Sequence, residues 1–414
     1  VMDYRGLLGL SQRLPPMLAA AKRAGLRLEG HIPTLEGMEL SEYLSYGISS
    51  SHSLTFPEKM YAELSKGVAV MLQTKSLTAE NMAAVMALPD RSGVLLVTDD
   101  IEPSLLRKGH LSLMVKLAVD NGMSPLEALT SASLRPARYL GLRDLGAIAP
   151  GYRADFLVLE DLAIFPPRQV WVDGRQVAAE GKMLPMPLPA SPPLPDFPAV
   201  PGPLLREDFR ILPACSEEKK PADAAAEWVA NAVRMDSPLT SLTSLEQVPL
   251  WVEDGYARLA EGDDLSLMAI FARGGVSRCV GIIKNLGITS GAAATSMAHD
   301  SHNLLVVGRE VQAMLRAANA VHAMGGGVAA ATVDEVTAAL QLPVFSLISD
   351  CEVEVVAEGM QRVEEALFEL GMQHKRPFLL LSLLSLSVSP YYKFSDKGVV
   401  DTERRYLLPP VFRR

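Results

Sequence analysis

Apolar positions in the first third of the chain follow two alternating periods. Residues 19–24 form a helix end closed by Gly25, residues 28–31 a short extended run, and residues 35–46 an amphipathic helix closed by Gly47. Residues 48–52 then read as a second strand, 58–66 as a helix stopping at Gly67, 68–73 as a third strand and 81–88 as a helix. The apolar run over residues 93–98 reads as a strand buried on both faces. Such alternation, with polar residues at every strand end, predicts a parallel α/β architecture and a barrel in particular. Over residues 146–183 the pattern changes to short strands at 155–159, 169–172 and 176–179, with Asp173-Gly174 as the hairpin turn between the last two. Residues 185–203 are dense in proline without helical period, which predicts an extended connector and a domain boundary. Strand-like runs at 267–272, 279–283, 304–307, 328–331 and 378–388, with helices at 310–324 and 352–370, predict a further α/β domain.

Length and composition narrow this picture. A chain of 414 residues holds two or three domains, because single cores rarely grow beyond about 250–300 residues. With 49% apolar and 21% charged residues the balance is that of a globular protein. A net charge of −9 argues against a nucleic-acid polymer as partner, which calls for a clustered basic face. Cys215, Cys279 and Cys351 are odd in number and far apart, so neither a disulfide framework nor a zinc knuckle is expected, and a reducing cytoplasm fits best. The longest apolar run, 378–388, is broken by Ser382, Ser385 and Ser387. It is too short for a bilayer, which takes about 20 residues, so no membrane partner is expected and the run reads as a buried strand. The chain opens Val1-Met2 without a secretory leader and runs directly into element-like sequence, so a missing upstream segment is expected.

Three strand ends of the first domain carry side chains suited to metal: His31, His52 and the pair Asp99-Asp100. In a parallel barrel the C-terminal strand ends converge on one mouth, where imidazole and carboxylate groups can share a zinc, iron or manganese ion. Singly, each has an ordinary explanation. A histidine after a short strand is commonly structural, and Asp-Asp before Glu102-Pro103 can cap the following helix. Their joint placement on successive turns favours a site.

Several blocks resemble bacterial and archaeal adenine deaminases of the amidohydrolase superfamily. They are Gly30-His31-Ile32-Pro33 with Leu35 and Gly37, Gly47-Ile48-Ser49-Ser50-Ser51-His52, Thr98-Asp99-Asp100 with Glu102-Pro103, and Gly109-His110-Leu111. Residues 146–155 are similar to the β-domain entry of many amidohydrolases. Residues 287–291, Ala298-His299-Asp300-Ser301-His302-Asn303, Met324-Gly325-Gly326-Gly327, Leu342-Pro343, Ser349-Asp350 and Ser395-Asp396-Lys397-Gly398 resemble the domain this family carries after its barrel.

The resemblance implies the C-terminal part of a metal-dependent, TIM-like (β/α)8 barrel over residues 1–145. It further implies a β-sandwich portion over 146–184, a proline-rich linker over 185–206 and the family's C-terminal α/β domain over 207–414. It implies hydrolytic deamination of adenine to hypoxanthine and ammonia, with a divalent metal (manganese or iron, then zinc), binuclear in the complete enzyme, and assembly into homo-oligomers. By the same resemblance His31 and His52 match metal ligands at the ends of the fifth and sixth barrel strands. Asp99 matches the aspartate after the eighth, which binds metal and moves protons. A metal-activated hydroxide would attack C6 of adenine, and Asp99 would carry the water proton to a ring nitrogen or the departing ammonia.

Five positions keep alternatives open. Asp100 supports the site or caps a helix. His110 touches substrate or makes a structural hydrogen bond. His299, Asp300 and His302, two histidines and an aspartate within four positions, form a second metal site, reach the barrel mouth, or make a polar turn. The chain also departs from the family: no His-x-His pair stands at an early strand end, Ser53 follows His52 where glutamate is usual, and Ser51 precedes it in place of aspartate. These departures keep open another purine or cyclic amide as substrate, or an inactive homologue. The family's bridging glutamate falls just before the pair matching Val1-Met2, so an N-terminal segment or second chain is expected to supply the first ligands.

Overall fold

The computed structural model describes residues 1–10, 12–162, 164–187, 193–211, 228–237, 241–389 and 391–413. The chain divides into two compact units, Val1–Pro192 and Pro193–Arg414.

In the first unit a short π-helical turn, Gly6–Leu10, precedes α1 (Leu14–Arg23), α2 (Gly37–Ser45), β1 (Ser50–Ser51), α3 (Pro57–Ser65), β2 (Ala69–Leu72), α4 (Ala79–Ala87) and β3 (Val94–Leu96). Helices α5 (Pro103–Leu106), α6 (Leu111–Asp120), α7 (Pro125–Ala132) and α8 (Leu134–Tyr139) follow. Strands β1, β2 and β3 pair in parallel in chain order, and a parallel bridge from Leu28 to Ile48 adds a fourth extended segment beside β1. The crossovers are helical, as the alternating periods predict. Pro57 starts α3 where its missing N–H costs nothing, and Thr78 caps α4 by accepting the Asn81 N–H at 3.2 Å. Val70, Leu72, Val94 and Leu96 bury one sheet face against Met60, Met82, Val85 and Met114. Ile32, Leu40, Tyr43 and Ile48 form a second cluster beneath the residue 28–31 segment.

Strands β4 (Phe156–Val158), β5 (Gln169–Val172), β6 (Arg175–Ala179) and β7 (Lys182–Met183) form a separate antiparallel sheet in that order, turning at Asp173-Gly174 as expected.

The second unit comprises β8 (Trp228–Met235), β9 (Thr243–Glu253), β10 (Tyr256–Arg258), β11 (Leu265–Phe271), β12 (Arg278–Lys284), β13 (Ala292–Thr295) and β14 (Leu304–Gly308). Next come α9 (Val311–Ala323), β15 (Gly327–Ala331), β16 (Val336–Gln341), α10 (Val353–Glu369), α11 (Pro377–Leu383), β17 (Tyr392–Ser395), β18 (Gly398–Asp401), β19 (Tyr406–Leu408) and β20 (Val411–Arg413). The large sheet runs β10-β9-β8-β12-β11-β14-β13-β15-β16, with β20 on β8. Its pairings are antiparallel except for β12 on β8. Alternate residues face opposite layers. Met268 and Ile270 pack with α10 and α11, while Leu267, Ala269 and Phe271 pack with α9. A sheet covered on both faces gives continuous apolar runs whatever the strand direction, so periodicity could not distinguish antiparallel from parallel pairing here.

Two expectations change. The buried strand expected over 378–388 is instead helical over Pro377–Leu383, with Pro377 at its first turn and Phe378, Leu380 and Leu381 in the core. A short apolar run has no period that separates the two states, and the proline start decided it. The proline-rich connector is packed at its far end: Val200 and Leu204 are buried with α9, and Leu204 N–H donates to Asn319 Oδ1 at 2.7 Å. Gly326 and Gly327 are required by close approach, since a Cβ on either would collide with Ser346 or the Leu340 carbonyl. Cys279 is buried and Cys351 exposed, both free; Cys215 lies outside the described residues. Among the described residues no helix is long and apolar enough to cross a membrane.

Candidate active site

Gly30 brings the segment before His31 against β1. A Cβ there would collide with the Ser50 carbonyl and the Ile48 side chain, and the Gly30 N–H donates to Ser50 Oγ at 3.2 Å. His31 is fixed on its other side by its own N–H, which donates to the Tyr43 hydroxyl at 3.2 Å; that hydroxyl donates to the Val1 carbonyl at 2.7 Å. The result is a facing pair: His31 Nδ1 lies 3.3 Å from His52 Nε2, with ring centroids 5.0 Å apart and planes tilted 40°. Burial holds the His31 imidazole down at about 4, reinforced by His52 and Lys59 and opposed by Asp99. At neutral pH it is therefore an uncharged donor. Two nitrogens on one tetrahedral ion with bonds of about 2.0–2.1 Å stand roughly 3.3 Å apart, so this pair fits a divalent metal in both chemistry and spacing.

Ser53 is part of this geometry. Its Oγ accepts the buried Ile32 N–H at 2.9 Å and lies 3.3 Å from His31 Nδ1, so the residue that departs from the family pattern anchors the backbone beside the histidine. Beneath the turn, Lys59 and Glu63 on one face of α3 form a buried ion pair at 3.6 Å, and Lys59 Nζ donates to the Leu54 carbonyl at 2.8 Å. Burial lowers the Lys59 pKa and raises that of Glu63, each opposed by the partner's charge.

Asp99 follows β3 in a left-handed conformation, φ 55°, which aspartate tolerates better than most residues. Its Oδ2 accepts a hydrogen bond from Gln73 Nε2 at 2.8 Å, and the same nitrogen donates to the His52 carbonyl at 3.0 Å. Among the described residues no three His, Cys, Asp or Glu side chains come close enough to hold one ion. The structure thus brings His31 and His52 into contact and links Asp99 to them through Gln73. Asp100 is exposed, and the cap position of α5 is Glu102, so the helix-capping alternative for Asp100 is not what the fold uses. His110 stands at the cap of α6 with Nε2 3.4 Å from Thr98 Oγ1, a contact to the residue before Asp99.

His299, Asp300 and His302 lie in the second unit, in the connection from β13 to β14. Its backbone is pinned: His299 N–H donates to the Ser382 carbonyl at 2.9 Å, Ser385 Oγ donates to the His299 carbonyl at 2.8 Å, and His302 has φ 53°. Asn303 is buried between the Arg273 N–H and Asp396. The two imidazoles meet edge to face at 5.7 Å, Asp300 Oδ1 is 3.9 Å from His299 Nδ1, and His302 Nδ1 is buried without a hydrogen-bond partner. This is a tied turn presenting two rings, and among the described residues it does not gather a third metal-binding group.

Sequence reasoning missed Gln73, Tyr43 and the Lys59–Glu63 pair. Gln73 ends a strand as His52 does, which was a usable signal; Lys59 and Glu63 at i and i+4 look like an ordinary exposed helix pair.

A family model described as the amidohydrolase family matches residues 15–177, and one described as the adenine deaminase C-terminal domain matches residues 240–406. Adenine deaminase 2 of Carboxydothermus hydrogenoformans is 35% identical over 99% of this chain and 70% of its own length. The adenine deaminase of Methanothermobacter thermautotrophicus is 33% identical, over 98% of this chain and 72% of its own. Among solved structures, an amidohydrolase from Thermotoga maritima aligns with 16% identity and a TM-score of 0.23, covering 43% of this chain and 55% of that one.

Proposed function

Because this chain belongs to the adenine deaminase family, we propose that it hydrolyses adenine to hypoxanthine and ammonia at the strand ends carrying His31, His52 and Asp99. The observation that carries this reading is the facing pair of imidazoles, His31 Nδ1 to His52 Nε2, at 3.3 Å. Leu28 with β1, β2 and β3 supplies consecutive parallel strands, and in the proposed architecture these are the fifth to eighth strands of a (β/α)8 barrel, their ends opening on one mouth. The amidohydrolase family implies a divalent metal. His31 Nδ1 and His52 Nε2 would hold it, with Asp99 supplying carboxylate oxygen; manganese or iron, and two ions, belong to the same proposal.

Bound there, a divalent ion supplies a Lewis acid that makes water nucleophilic near neutral pH. The chain's own groups do the rest. His31 and His52 hold their faces through Tyr43, Ser53 and the Gly30 approach. Asp99 takes a proton from the attacking water as the oxygen adds to C6 of the purine, and returns it to the exocyclic nitrogen, which leaves as ammonia. The remaining hydroxyl proton settles on the ring, giving hypoxanthine. Nitrogen, oxygen and protons balance without a further reactant.

The test is hypoxanthine formation from adenine after loading with manganese, iron or zinc. Formation that disappears in His31→Ala, His52→Ala and Asp99→Asn is expected. Bound metal with no hypoxanthine would overturn the adenine assignment and direct the search to other purines or cyclic amides.

A further inference from the structure

Gln73 stands at the end of β2, between the strand end that carries His52 and the one that carries Asp99. Both of its partners, the His52 carbonyl and the Asp99 carboxylate, are acceptors. Only the amide nitrogen can face them, because the flipped amide would set its oxygen against two other oxygens. Both Nε2 hydrogens are therefore used, one on each neighbour, at 3.0 and 2.8 Å. We infer that Gln73 is the positioning residue of this site: one amide group ties the His52 turn to Asp99, holds Asp99 Oδ2 away from the chemistry and leaves Oδ1 as the oxygen that exchanges the proton.

Three features of the chain support this. Asp99 has a left-handed backbone and is exposed, so its own fold does little to fix the carboxylate. The His52 turn is held from below by Lys59 through the Leu54 carbonyl and by Asn81 Nδ2 through the Thr55 carbonyl at 3.1 Å, while Gln73 grips its upper end. A neutral donor also fixes the carboxylate without cancelling the charge that a metal or a transferred proton needs. Lysine or arginine at the same place would compete for it.

The inference rests on the deaminase reading only for the identity of the reaction, so its test includes readouts that do not involve adenine. Gln73→Met keeps length without donors, and Gln73→Glu is nearly isosteric with the donors removed. With the full chain, hydrogen exchange, manganese(II) titration and steady-state deamination are measured for both. Expected are unchanged melting temperatures, faster amide exchange over residues 52–54 and 97–101, and manganese affinity or kcat lower by about 10–100-fold, the usual effect of removing a group that orients a ligand. KM for adenine should stay near its original value. Unchanged exchange in both segments, or wild-type manganese affinity and kcat in Gln73→Met, would overturn the inference. A parent chain that binds manganese but forms no hypoxanthine would instead remove the deaminase reading, and exchange and metal affinity would still decide the role of Gln73.

Discussion

His31 Nδ1 and His52 Nε2 approach to 3.3 Å across 21 positions of sequence and so join two strand ends directly. Replacing either ring by alanine leaves one nitrogen where two are needed. Manganese affinity is expected to fall by more than the roughly 10–100-fold that loss of a supporting residue produces, with little change in melting temperature. Retained affinity in both variants would place the metal elsewhere.

Ser53 accepts the N–H of Ile32, a residue with no exposed surface. Ser53→Ala leaves that donor unsatisfied, a cost of about 1–3 kcal/mol, and loosens the backbone beside His31. Urea unfolding together with metal titration should show both losses. A variant that loses neither would make the hydroxyl incidental.

The Lys59–Glu63 pair lies under the same turn with both side chains nearly inaccessible. Removing one partner strands the other. Glu63→Leu is expected to destabilise the protein by about 3–5 kcal/mol, whereas the double replacement Lys59→Met with Glu63→Leu should recover most of the loss. Equal destabilisation in single and double variants would show that the Lys59 bond to the Leu54 carbonyl matters more than the charge pair.

Lys393 is buried in the second unit, where its Nζ donates to the Ser241 carbonyl at 3.1 Å and burial pushes its pKa down to about 8, with Asp236 opposing. Between pH 8 and the ordinary lysine value the unfolded chain binds more protons than the folded one, so stability rises with pH across that window and the penalty is complete below it. The gain is at most on the order of 3 kcal/mol. Urea titrations at pH 7.5 and 9.5 should show the rise in the parent and its loss in Lys393→Met; equal slopes would refute it.

Burial drives the Cys279 thiol up to about 12, while Cys351 is exposed. A maleimide followed by peptide mapping should modify Cys351 in the native protein and Cys279 only after unfolding. Rapid native labelling of Cys279 would contradict the packing of β12.

The strand-end placement of the candidate residues was legible in the sequence because it is written in the alternation itself. His31, His52 and Asp99 each follow a short extended segment, and β1 to β3 do form a parallel set. What escaped was relational. Gln73 occupies the same kind of position as His52, yet nothing in an amide's local sequence says that it faces a carboxylate 26 residues away. Nor does a run such as Leu265–Phe271 reveal strand direction, since both faces of the sheet are covered. At 378–388 the composition satisfied both strand and helix, and the proline at the first turn, with Phe378, Leu380 and Leu381 in the core, separated them.

The packed tail of the proline-rich stretch bears on how this protein can be divided. His322 Nδ1 meets the Val200 carbonyl at 3.0 Å, Asn319 bonds both backbone groups of Leu204, and a Cβ on Gly202 would strike the His322 ring. A fragment started at residue 207 would strip α9 of these partners and bare the alanine-rich face formed by Ala313, Ala317 and Val321. Cloning boundaries for the second unit therefore belong at or before Pro193, and a protease that cuts between Pro198 and Leu204 would unseat a helix as well as a linker.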